Sequence, residues 1–138
     1  MKAWLVNTNT KTSNNNPNGF QYMLRQNKVS AFYDRAKAVD KIRKDDLVLL
    51  YHNENRVIAI GAVVNSPEIH DYDDLSAEHW VDVNWLWKDK FNKNNIPKNP
   101  IDRNLLGITM VNNTVVNVTE QLDYQQLIEE IAKRQVFI

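Results

Sequence analysis

The sequence predicts an α+β fold: a curved, mainly antiparallel β-barrel flanked by short helices. Two observations carry this expectation. Asp46–His52 and Arg56–Val64 are apolar runs separated by Asn53-Glu54-Asn55, the pattern of a hairpin. Trp80–Trp87 alternates strictly, with Val81, Val83, Trp85 and Trp87 on one side and Trp80, Asp82, Asn84 and Leu86 on the other. Strands and helices are mixed in order, so a βαβ repeat is not expected.

Taken in order, Ala3-Trp-Leu-Val-Asn7 reads as a buried first strand. Asn18 with Gln21 has the spacing of a reciprocal cap for a helix over about 19–26. Val29 to Tyr33 is short, apolar and extended, and Asp34 is placed to cap a helix over 35–43 with Ala38, Val39 and Ile42 inward. In Arg56–Val64 both alternating sets are apolar, Val57, Ala59, Gly61 and Val63 against Ile58, Ile60, Ala62 and Val64, which predicts a central strand. Gly61 within it marks a bulge or bend, as a closing sheet requires. Asp102–Gly107 reads as one helical turn closed by glycine, Val111–Thr114 as a turn and Val115–Val118 as a last strand. Asp123 with Gln126 caps a C-terminal helix over about 123–134, its core positions being Tyr124, Leu127, Ile128 and Ile131.

A chain of 138 residues fits one domain, 1–138, with a core of its own. No apolar run approaches the roughly 18 residues of a spanning helix, and the N-terminus turns polar too soon for a signal-peptide core. There is no cysteine, which excludes disulfides and thiolate chemistry and is compatible with a cytoplasmic protein. The 17 basic and 17 acidic residues balance, which argues against a non-specific DNA-coating protein. Between Arg25 and Lys44, however, seven Lys or Arg stand against two Asp, which permits one basic face.

Little in the chain points to catalysis. His52, His70 and His79 share no metal-ligand spacing, no G-x-S-x-G or phosphate-cradling glycine loop exists, and Asp82 with Lys88 is a poor match to a PD-x-K nuclease. The acids of His70-Asp-Tyr-Asp-Asp74 read as a solvated loop. No metal and no cofactor is expected. What remains is an aromatic set: Trp4, Phe32, Tyr33, Tyr51, Trp85 and Trp87. Aromatic walls hold a nucleobase by stacking, at about 1–3 kcal/mol per base, while polar groups read its edge. Asn7, Ser30, Asp34, His52 and Asn84 are of the right type. Aromatics at alternating strand positions equally fill cores, and both roles stand open on the residues alone.

Five segments carry a resemblance. Ser30-Ala-Phe-Tyr-Asp34 stands before a Lys-rich stretch; Lys44-Asp-Asp-Leu-Val-Leu-Leu-Tyr-His52 resembles a "K-x-G-D-x-V-x-x-Y-H" strand; and Val57-Ile-Ala-Ile-Gly-Ala-Val63 resembles "I-V-A-I-G-x-V". Ala3-Trp-Leu-Val-Asn7 and Val81-Asp-Val-Asn-Trp85 complete the set, resembling a "Y-W-L" opening strand and a "V-D-V-x-W" strand. Together they resemble the EVE domain of the PUA-like superfamily, to which YTH domains, readers of methylated adenine, are related. Asp45 stands where the family's turn glycine is common, and the W-x-G-V-R-N motif is absent, Phe32 falling near its asparagine.

The resemblance implies a non-enzymatic module that holds a modified or flipped base of DNA or RNA in an aromatic pocket, on its own or within a larger nuclease system. Its base-binding residues are then expected among Trp4, Asn7, Ser30, Phe32, Tyr33, Asp34, Tyr51, His52, Trp85 and Trp87, with Lys28, Arg35 and Lys37 at phosphates. Trp4, Phe32, Tyr51, His52 and Trp85 are expected around one cleft. The competing readings are a nucleic-acid- or nucleotide-acting enzyme using His52 and Asp34 as acid and base, and a protein-interaction domain with exposed Trp residues.

Overall fold

The computed structural model describes residues 1–8, 19–52, 56–70, 78–109 and 114–135, with the backbone alone for 33–35, 69 and 70. The caps and turns expected at Asn18, at 53–55 and at 111–113 lie outside the described residues, as does most of the acidic loop 70–74. The strands are β1 (Ala3–Asn7), β2 (Lys28–Phe32), β3 (Leu47–His52), β4 (Arg56–Val63), β5 (Glu68–His70), β6 (Glu78–Lys88), β7 (Ile101–Asp102) and β8 (Val115–Asn117). Helix α1 is Phe20–Gln26 and α2 is Tyr124–Arg134, with 3-10 turns at Tyr33–Val39 and Arg103–Leu106.

Among the described residues the strands form one sheet in the order β2-β6-β4-β3-β1-β8, with β5 beside β6 and β7 beside β4. The pairings are antiparallel except β1 with β3. The sheet curls into a half-barrel, an α+β curved barrel as the sequence predicts.

Both faces of its centre are buried. One cluster holds Trp4, Val6, Val48, Leu50, Ile58, Val81 and Val83 with Phe20 and Met23 of α1. The other holds Leu5, Leu49, Tyr51, Ile60, Trp87, Ile101 and Leu106 with Leu127 of α2. Each such side chain contributes about 1.5–3 kcal/mol when fully buried. Two register shifts bend the sheet, one between Leu50 and Tyr51 and one between Ile60 and Gly61. The first, which leaves Ile58 as an extra residue in β4, corrects the expected alternation of that strand: Val57 and Ile60 enter one cluster, Ile58, Ala59 and Val63 the other. An extra residue between paired positions resets which face the next side chain takes. In β6 Val81 and Val83 are buried and Leu86 is 47% exposed, as expected, but Trp87 corrects the expectation: it enters the other cluster from Val81, Val83 and Trp85, because the second shift leaves Leu86 as an extra residue between the pairs Gly61–Trp85 and Ile60–Trp87.

The helices keep closely to their expected limits but differ in detail. Residues 33–39 form a 3-10 turn, not an α-helix over 35–43, and its N-cap is Phe32 rather than Asp34. The reason lies in the apolar spacing: Ala36, Val39 and Ile42 are buried, three residues apart, which matches three residues per turn. Hydrogen bonds from Asp40 N to Lys37 O and from Ile42 N to Val39 O continue that pitch. In α2, Asp123 accepts from Gln126 N as expected, and Leu127 packs inward. Ile128 does not; it is 66% exposed, because one residue further turns it about 100° away from the Tyr124, Leu127 and Ile131 stripe. No helix is long and apolar enough to cross a membrane, among the described residues.

Asp45 has φ +72°, the left-handed conformation that glycine adopts without a Cβ penalty. Replacement Asp45→Gly is therefore expected to raise stability by about 0.5 kcal/mol, read as a higher urea midpoint with unchanged slope.

Candidate functional site

Among the described residues the β2–β6 ladder brings charged, polar and aromatic side chains together on one face. Its register pairs Lys28 with Asp82, Ser30 with Trp80 and Phe32 with Glu78. Period-two alternation therefore puts Lys28, Ser30, Phe32, Glu78, Trp80 and Asp82 on one face, while Val29, Ala31 and Val81 enter the core. Helix α1 ends at Asn27, in the left-handed conformation, directly before β2, so Tyr22 reaches back over this face. The Tyr22 and Phe32 rings meet edge-on at 5.9 Å and 60°.

The polar groups of Tyr22, Lys28 and Glu78 form a triad. The Lys28 ammonium lies 2.8 Å from Glu78 Oε2, and the Tyr22 hydroxyl donates to the same oxygen at 3.0 Å. The ammonium also stands over the Tyr22 ring, 4.9 Å from its centroid, and over that of Trp80 at 4.4 Å, a cation in contact with two aromatic rings. Burial would lower the Lys28 pKa, but its bonds to Glu78 and Tyr22 outweigh this and raise it above the ordinary lysine value. Burial, with Glu78 beside it, raises that of Tyr22, which keeps its proton as donor. Ser30 is 2% exposed, and its Oγ has no hydrogen-bond partner among the described residues. A buried hydroxyl without a partner is costly, unless a bound molecule satisfies it.

A second aromatic group lies on the other side of α1. Phe20 stacks on Phe91 at 4.9 Å and meets His52 edge-on at 5.2 Å. Phe20 and Tyr22 are two residues apart, about 200° around the helix, so the groups they join face opposite ways. Asn7, paired with Tyr51 at the ends of β1 and β3, belongs to the His52 end. The buried Oδ1 of Asn7 and Nε1 of Trp85 likewise have no partner among the described residues.

The ten residues expected to bind a base thus divide. Phe32 and Ser30 join the β2–β6 face, while Asn7 and His52 stand at the other end. Trp4 is a core strut, 4% exposed, its Nε1 donating to Asp46 Oδ2 at 2.9 Å. Tyr51 and Trp87 pack in the opposite cluster from Trp4, with Arg134 5.7 Å over the Trp87 ring. Trp85 packs against the Trp4 cluster. Trp4, Phe32, Tyr51, His52 and Trp85 therefore do not converge on one cleft. The side chains of Tyr33, Asp34 and Arg35 lie outside the described residues. Of the expected phosphate ligands, Lys28 is ion-paired and Lys37 is exposed.

Sequence reading missed Tyr22, Glu78 and Trp80. Alternation in both strands is the usable signal: Lys28, Ser30 and Phe32 share one face of β2, and their partners Asp82, Trp80 and Glu78 share the face of β6 away from Val81 and Val83. Among the described residues no group of three metal-ligating side chains converges.

The chain belongs to the family described as a domain of unknown function, DUF8426, which matches residues 4–119. No curated protein matches its sequence. Among solved structures, Rpa0253 from Rhodopseudomonas palustris is similar with TM-score 0.57 at 10% identity, covering 99% of this chain and 97% of that one. The YTH domain-containing protein mmi1 in complex with RNA is similar with TM-score 0.56 at 9% identity, covering 96% and 82%. A hypothetical protein from Leishmania major is similar with TM-score 0.53 at 14% identity, covering 98% and 98%. At such identities the likeness speaks to fold alone.

Proposed function

We propose that this member of the DUF8426 family is a nucleic-acid recognition domain that holds a modified base of DNA or RNA on the β2–β6 face and does not alter it chemically. The observation that carries the reading is that Tyr22, Phe32 and Trp80 share the β2–β6 face with Ser30, whose buried hydroxyl has no partner among the described residues. The resemblance of its strands to EVE domains and the fold it shares with a YTH domain seen with RNA support it. The rings supply stacking, the Ser30 hydroxyl and the Glu78 carboxylate read the base edge, and the exposed Lys37 meets a neighbouring phosphate.

Unpairing a base from a duplex costs a few kcal/mol, which stacking at about 1–3 kcal/mol per base offsets only in part. Unmodified duplex is therefore expected to bind poorly, and modified or unpaired bases better. Trp80→Ala and Phe32→Ala should each weaken binding about tenfold, while the exposed Leu105→Ala should not. Titration of modified and plain oligonucleotides at two salt concentrations checks this, with intact oligonucleotide recovered afterwards. Equal, salt-insensitive binding of every oligonucleotide, or no binding, would refute the reading and favour a protein-interaction role.

A further inference from the structure

We infer that the base this face takes is a cationic one, methylated on a ring nitrogen so that it carries a fixed positive charge. The inference rests on the base-binding reading above and adds the charge of the ligand. The site already holds a cation of its own: the Lys28 ammonium lies over both the Tyr22 and the Trp80 rings, 4.9 and 4.4 Å from their centroids. The same ammonium is 2.8 Å from Glu78 Oε2, which the Tyr22 hydroxyl aligns from 3.0 Å. Two electron-rich faces and a carboxylate are complementary to positive charge and planarity together. Only 12% of the Lys28 side chain and 14% of the Glu78 side chain are exposed, so the pair is largely removed from water.

This sets the discrimination. A neutral base that enters between the rings displaces the ammonium and leaves Glu78 with an unpaired charge in a poorly hydrated place. A cationic base replaces the ammonium charge for charge and keeps Glu78 paired. It also presents a flat face to Trp80, which a tetrahedral ammonium does not. Lys28, on its flexible stem, swings out to solvent. Its ordinary position makes it an internal competitor that keeps the site closed to the neutral bases that make up most of any nucleic acid. Ser30, paired with Trp80 on the same face, has a buried hydroxyl with no partner among the described residues, and it is left to bond the polar edge of the incoming ring.

The test uses the full chain and nucleosides, read by tryptophan fluorescence. N1-methyladenosine, cationic near neutral pH, is expected to bind about tenfold more tightly than N6-methyladenosine, its neutral isomer. Lys28→Met, which keeps the stem and removes the competing charge, should tighten N1-methyladenosine about fivefold. Glu78→Gln should abolish the preference between the isomers. Should Lys28→Met fail to fold, the comparison of the isomers on the unaltered chain still decides. Equal binding of the two, or preference for the neutral one, overturns the cationic inference and leaves the base-binding reading standing. Binding of neither, to the unaltered chain or to Lys28→Met, overturns both. Binding of tetramethylammonium with both nucleosides excluded assigns the cage to quaternary ammonium ions and also overturns it.

Discussion

Gly61→Ala is expected to destabilise the protein by about 3 kcal/mol, the upper end of what overpacking costs. Gly61 sits at the register shift where β4 crosses from pairing Trp87 to pairing Trp85. A Cβ there would overlap Val83 Cγ1 and come within 2.9 Å of Trp85 Cε3 and 3.1 Å of the Asn84 carbonyl. Neither neighbour yields cheaply. Val83 is β-branched, 4% exposed and restricted at χ1, and Asn84 O is backbone. The close approach of β6 to β4 at this point is part of how the sheet curls, so the methyl group opposes the curvature itself. Chemical denaturation gives the loss directly. Val83→Ala, which removes Cγ1, should couple favourably with Gly61→Ala by about 1 kcal/mol in a double-mutant cycle. A cost below about 0.5 kcal/mol for Gly61→Ala would show that the strands separate easily here, against this account.

Asp46→Asn is expected to cost about 2–3 kcal/mol. Asp46 is 5% exposed and accepts three hydrogen bonds, from Lys2 N to Oδ1 and from Trp4 Nε1 and Arg43 N to Oδ2, each 2.9 Å. It ties the start of β1 to the chain before β3, where these two strands run parallel. An asparagine keeps one acceptor and turns a donor towards groups that are themselves donors. The pH dependence follows from the same geometry. Burial would raise the Asp46 pKa, but the bonds from Trp4, Lys2 and Arg43 and the positive N-terminus outweigh it and hold the carboxyl below its ordinary value. A depressed folded pKa contributes stability above the unfolded value, near pH 4, and loses it as pH falls through the folded value. Glu130, held low chiefly by Arg134 at 2.6 Å, titrates in the same acid window. Unfolding free energies at pH 7 and pH 3 should therefore converge for the unaltered chain and Asp46→Asn, while Glu130 lowers both alike. A gap that stays constant across that range would refute the role assigned to the Asp46 charge.

The candidate site was half legible. Ser30, Phe32 and Lys28 were expected near a ligand, and they lie on the β2–β6 face. Trp80 was placed by alternation on the side away from Val83 and Trp85, and that placement holds. Its importance did not follow, because the face opposite a core is ordinarily solvent. Here Tyr22 of α1 lies over it, a contact between residues far apart in sequence, Tyr22 with Glu78, that no local pattern encodes.

What the sequence determined by itself is local. The alternation of β6 from Trp80 to Trp85, the β3–β4 hairpin, the Asp123 cap of α2 and the glycine that closes Arg103–Leu106 follow from period, propensity and capping within a few residues. The tertiary structure decided the rest. It paired β1 in parallel with β3, reset the faces of β4 and of β6 through one register shift each, and made Trp4 a core strut by bringing Asp46 to its indole nitrogen. It also set Phe20 and Tyr22 on opposite sides of α1, so that one joins His52 and Phe91 and the other closes over Lys28. The physical reason is common to all of these. A single extra residue in a strand, or a 100° step on a helix, redirects a side chain completely, and which direction is stable depends on partners distant in the chain.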